Sequence, residues 1–131
     1  MADDKLYERG LEIRKQVLGA AHVERSLKAA NDFTRDFQTF ITQYAWGGAW
    51  ARGGSLDKRT RSLLTIAMLA ALGREEELRL HIHATRNTGV SPDEVKEALI
   101  QVAIYGGVPA ANAAFRAANE EYQKMAKESP A

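Results

Sequence analysis

The sequence predicts an all-α fold of six or seven helices. Apolar residues recur at three- and four-residue spacing along most of the chain. Glycines, prolines and capping residues divide it into pieces of helical length. No convincing strand is found. The TIAML run at 65–69 has the composition of a buried strand, but its length and its Ala/Leu flanks favour a helix. The packing expected is orthogonal or bundle-like.

The elements follow in order. Residues 5–18 carry Leu6, Ile13, Val17 and Leu18 at mostly helical spacing, and Gly19 can close that helix. A second helical stretch covers about 23–29. A third starts near Asn31, a plausible N-cap, and runs to about Tyr44, with Phe33, Phe37, Phe40, Ile41 and Tyr44 as its apolar set. Residues 45–56 hold Gly47, Gly48, Gly53 and Gly54 and read as an irregular loop around Trp46 and Trp50. Asp57 reads as the cap of a fourth helix ending at Gly73. That helix is apolar almost all round from Leu63 to Leu72, so a central, buried position is expected. A fifth spans about 75–88 and ends at Gly89. Ser91-Pro92-Asp93-Glu94 is a capping box with proline at the first helical position, opening a sixth helix to about Tyr105. Gly106-Gly107 breaks it, and Pro109 opens a seventh to about Lys127. Ala110, Ala111, Ala113, Ala114, Ala117 and Ala118 give this last helix a wide alanine surface. Either helix propensity alone or burial against a neighbouring subunit accounts for it.

Composition narrows the function. The 131 residues fit one domain, 1–131, with 45% hydrophobic and 27% charged residues. The absence of cysteine rules out disulfides, thiolate nucleophiles and Cys-based zinc sites. A net charge of +1 gives no general attraction to nucleic acid or acidic membranes. The start, MADDKLYERG, lacks the apolar stretch of a signal peptide, and the apolar run 63–72 is too short to span a bilayer. A cytoplasmic protein with no membrane or nucleic-acid partner is expected.

His22, His81 and His83 are the histidines. His22 reads as a surface residue. His81 and His83, two apart, point about 200° apart on a helix and do not share a metal. No metal site is expected. Glu77 lies four residues before His81 on the same helical face, an arrangement that raises an imidazole pKa and suits a general acid. It is also the spacing of a surface ion pair. Arg52, Lys58, Arg59 and Arg61 bracket the two tryptophans, with Asp57 to offset them. Arginine forks of this kind suit a small dianion. Cations near a helix start oppose its dipole, so local helix stability does not explain them. No GxGxxG, P-loop or G-x-S-x-G pattern occurs.

Five stretches carry a resemblance: YERGLEIRKQVLG (7–19), YAWGGAWAR (44–52), TRSLLTIAMLAALGR (60–74), ELRLHIHA (77–84) and NTGVSPDEVKEALIQVAIYGGVPAANAAF (87–115). Through them the chain resembles the 4-carboxymuconolactone (gamma-carboxymuconolactone) decarboxylases of the AhpD-like helical superfamily. The resemblance implies an AhpD-like helical domain and a homo-oligomer, commonly a hexamer built as a trimer of dimers. It implies a carboxy-lyase without cofactor, converting 4-carboxymuconolactone to CO2 and 3-oxoadipate enol-lactone in protocatechuate catabolism (the β-ketoadipate pathway). Thiol peroxidases of the superfamily use C-x-x-C-x-x-x-H. Here Arg74 and Glu77 stand where those cysteines would be, with His81 at the histidine.

The reaction implied assigns roles. Arg52 and Arg61 are the candidate anchors for the dianion, with Arg61 counted as catalytic. His81, tuned by Glu77, is the candidate acid. Trp46 and Trp50 are expected to line a dry pocket, and His83, Tyr105 and Asn112 to contribute to substrate binding. The chain departs from the family pattern in three places. Gly48 stands where an acid is frequent, His83 where arginine is frequent, and the loop reads ARGGSLD where a proline and one fewer residue are usual. These departures keep an alternative open: a helical oligomer of the same fold that binds another small carboxylate.

Overall fold

A computed structural model describes residues 2–128. Among them are seven α-helices and one π-helix: α1 Ala2–Leu18, α2 Ala20–Lys28, α3 Arg35–Ile41, the π-helix Thr42–Trp50, α4 Lys58–Leu72, α5 Glu75–Thr88, α6 Pro92–Tyr105 and α7 Val108–Lys127. No strand occurs among the described residues. The all-α expectation holds, and every helix read from the sequence is present. The chain forms two compact units, one running to Lys58 and one from Arg59 onward.

In the first unit α1 packs against the π-helix, and two glycines make this possible. A Cβ on Gly10 would lie 1.8 Å from the Thr42 carbonyl oxygen, and one on Gly47 would lie 2.4 Å from that of Leu6. The two backbones therefore meet with nothing between them. The π-helix corrects the loop expected at 45–56: helical structure continues through Trp50, and the irregular stretch begins at Ala51. Arg14, buried in α1, donates to Thr42 Oγ1 and Gln38 Oε1, both at 3.0 Å. Thr42 Oγ1 in turn donates to the Gln38 carbonyl at 2.7 Å. These bonds clamp the junction of α3 and the π-helix. Asn31 does accept from the backbone N–H of Phe33 and Thr34, at 2.9 and 3.1 Å, but it caps a turn, and α3 starts at Arg35. Phe33, Phe37, Phe40 and Tyr44 are all half-exposed or more.

The second unit is built around Ile66, Leu78, Ile82, Val95 and Leu99, with α7 packed on α5 and α6. Ala111, Ala114, Ala117 and Ala118 are buried there. The α7 alanine surface is thus largely used inside the chain, a third outcome beside bare propensity and a subunit contact. The capping box forms as read: Ser91 Oγ accepts from Glu94 N–H at 3.1 Å, and Glu94 accepts from Ser91 N–H at 2.9 Å. Gly89 closes α5 in the left-handed conformation, φ +87°. One expectation fails. α4 is not buried all round: Ser62, Ile66 and Ala70 face inward, while Leu64, Met68 and Leu72 are 45%, 57% and 67% exposed.

Candidate active site

The cations expected to cluster are separated by what they bind. Lys58 donates to Gln16 Oε1 at 2.6 Å. Arg59 donates to the Gly89 carbonyl at 3.3 Å and pairs with Glu94, joining the start of α4 to the α5 terminus and the α6 cap. It serves the fold. Arg52 is exposed in the stretch after the π-helix. Arg61 differs from all three. Its Nε–H is buried and meets no hydrogen-bond acceptor among the described residues. A buried donor left unmade costs roughly 1–3 kcal/mol, so such a group calls for an explanation. A bound carboxylate would supply the acceptor and the compensating charge.

His81 lies on the inner face of α5 with Leu78, Ile82 and Thr85, and is only 6% exposed. Burial pushes its pKa down from 6.5 to about 4. This corrects the expected tuning by Glu77. That carboxylate is exposed, and desolvation sets the imidazole instead. His81 is therefore neutral at pH 7 and not a resting imidazolium acid.

The depressed pKa has a stability consequence. The unfolded chain takes up this proton first, so the contribution is complete above about pH 6.5. It is lost as pH falls toward 4 and levels off below. A loss on the order of 3 kcal/mol across that window is expected. Urea unfolding at several pH values should show it, and His81→Gln should flatten the slope. An unchanged slope in the variant would place the acid sensitivity elsewhere.

His83 points away from His81, as the spacing predicts. Its Nε2 lies 3.0 and 3.1 Å from the two Glu128 carboxylate oxygens, and Arg86 donates to the same carboxylate at 2.7 Å. The hydrogen bond from His83 is the largest cause holding Glu128 below the usual carboxylate range. His83 is thus engaged by the chain's own carboxylate, and to meet a substrate it would have to leave it. Tyr105 is 84% exposed at the end of α6 and lines an apolar groove of about 410 Å³ between α4 and α6. Asn112 is exposed on the first turns of α7. In the first unit Trp46 and Trp50 stack, with ring centroids 5.0 Å apart at 25°. Trp46 is buried.

Two groups escaped the sequence reading. Ser62, fully buried beside Arg61, accepts a hydrogen bond from Thr88 Oγ1 at 3.0 Å. Arg14 is the other, and it had a signal: a cation on the face of α1 that carries Gly10 and Val17. No set of three or more metal-ligating side chains converges among the described residues. No described helix is long and apolar enough to cross a membrane.

Comparison with known proteins extends this geometry. Residues 35–120 match the carboxymuconolactone decarboxylase family. The chain is 51% identical over 125 residues to a 4-carboxymuconolactone decarboxylase of Acinetobacter baylyi, spanning 95% of this chain and 92% of that one. It is 42% identical over 105 residues to a nitrosuccinic acid decarboxylase of Metarhizium robertsii, spanning 80% and 73%. A 4-carboxymuconolactone decarboxylase of Pseudomonas putida is 45% identical over 47 residues, which is 36% of this chain and 98% of that one. With the family match over most of its length and half its residues identical to a near full-length relative, the chain belongs to the carboxymuconolactone decarboxylase family.

Proposed function

We propose that the chain decarboxylates 4-carboxymuconolactone to 3-oxoadipate enol-lactone and CO2, without a cofactor, as a step in protocatechuate breakdown. The near full-length identity to the Acinetobacter enzyme carries this reading. The chemistry agrees with it. The departing carboxylate sits on the ring carbon vinylogous to the lactone carbonyl. Cleavage releases CO2 and moves the bonding electron pair through the ring onto that carbonyl oxygen. The dienolate is then protonated on carbon, so a dianion plus one proton gives CO2 and a monoanion. The relative that acts on nitrosuccinic acid faces a related demand, because a nitro group can accept the electron pair beside the lost carboxylate.

Roles follow from the second unit. Arg61 holds a substrate carboxylate through its unspent Nε–H. His81, neutral at rest, takes up a proton as the dianion enters its low-dielectric surroundings, because a nearby negative charge raises its proton affinity. It then delivers that proton to carbon. In the first unit the stacked tryptophans and Arg52 remain proposed substrate contacts. Tyr105 faces an apolar groove, which suits a protein partner better than a dianion.

The chain works as a homo-oligomer, and a hexamer built as a trimer of dimers fits the family likeness. Such an assembly needs two kinds of contact. Each unit carries an apolar face: the α3 aromatic stripe in the first and the outer side of α4 and α6 in the second. The test of the activity is loss of freshly generated 4-carboxymuconolactone. Loss far above the spontaneous rate is expected. Folded protein that leaves the spontaneous rate unchanged would overturn the assignment and favour a binding role for another small carboxylate.

A further inference from the structure

We propose that the outer face of α4 and α6 is a two-fold self-association surface, occupied by the same face of a second copy. This rests on the homo-oligomer reading above and names the surface. Leu64, Met68 and Leu72 from α4 and Ile100, Ile104 and Tyr105 from α6 are 45–84% exposed. Leu64, Met68 and Leu72 follow one another at four-residue spacing and form a ridge on α4; Ile100 and Ile104, also four apart, form one on α6, which Tyr105 widens at its end. Between the ridges runs the 410 Å³ groove, floored by small residues including Ala67, Ala71 and Gly106.

Two arguments select a second copy as the occupant. The first is area. Six large side chains, at on the order of 100 Å² of exposed apolar surface each, hold roughly 600 Å². That is the upper end of what a monomer usually leaves in one patch, and it approaches the ~800 Å² per partner of a standard interface. The second is charge. A two-fold contact sets a patch against its own copy, so one-signed charges on it repel. No charged residue lines this groove. The small residues on its floor also let a ridge of the partner approach closely.

The test uses the purified full-length chain alone. Wild-type protein should have at least twice the 14.5 kDa chain mass by light scattering. Met68→Glu combined with Ile104→Glu should lower that mass at least two-fold while helical circular dichroism is kept. The chain has no cysteine, which permits a second reading that does not depend on a charged variant. A cysteine placed by Ile104→Cys should react with a bulky maleimide at least ten-fold more slowly than one placed by Gln123→Cys, at an exposed position of α7. A wild-type monomer would overturn both the oligomer and this surface. A wild-type oligomer with a fast-reacting Cys variant at 104, or an unchanged mass in the folded glutamate variant, would overturn the surface alone. Lactone turnover is measured separately, so failure of the decarboxylase reading has its own signature.

Discussion

Arg61→Ala is expected to lower kcat/KM by roughly 10²–10³ while leaving thermal stability unchanged or slightly raised. The activity loss follows from removing the anchor of a dianionic substrate, and it should fall mainly on KM, because the carboxylate held is present in both ground and transition states. The stability effect follows from the buried Nε–H without an acceptor, since truncation removes that cost. Arg59→Ala gives the opposite pattern. It releases the Gly89 carbonyl and Glu94, so it should lower stability and leave turnover per folded molecule nearly intact. Steady-state kinetics and melting curves on both variants check the pair. If Arg61→Ala melted early and turned over normally, Arg61 would be a structural residue.

The largest stability effect is expected at Gly10. A methyl group there must occupy the space of the Thr42 carbonyl oxygen, a backbone atom that no side-chain rotation can move. Overpacking of this kind should cost at least about 3 kcal/mol. That is a large share of the 5–15 kcal/mol by which domains are usually stable. Gly48, in the π-helix that α1 meets, is the control. A Cβ there meets its nearest atom, the Gln43 carbonyl oxygen, at 3.8 Å, an ordinary contact. Gly48→Ala should therefore be neutral or stabilising by up to about 1 kcal/mol, through lower unfolded-state entropy. Urea unfolding of the two variants separates them. Equal effects would mean that α1 and the π-helix do not approach as described.

The boundaries of α5, α6 and α7 were legible because their signals are local. Gly89, the Ser91–Glu94 box and Gly106-Gly107 each act within a few residues of themselves. The π-helix was not legible. Its glycines read locally as a loop, and the backbone that requires Gly47, that of Leu6, is more than forty positions away. Spacing placed Glu77 on the helical face of His81 but held no information on depth. Depth decided the outcome, with an exposed carboxylate and an imidazole whose pKa burial lowers. The outer face of α4 read as buried because an apolar run does not say which of its faces the chain itself covers. Among the cations, only the folded chain separates Arg59, bound at two helix ends, from Arg61, whose buried Nε–H is unspent.

In the proposed reaction this chain's own residues do the chemistry, with a proton taken up in each cycle. The most direct measurement is stoichiometry on metal-chelated protein, recording lactone consumed, CO2 released and protons taken up in one weakly buffered reaction. With released CO2 swept out before it hydrates and returns a proton, one CO2 and one proton per lactone are expected, at a rate that the chelator leaves unchanged and that Arg61→Ala lowers. Lactone loss without CO2, or turnover that returns only on adding a metal, would contradict it.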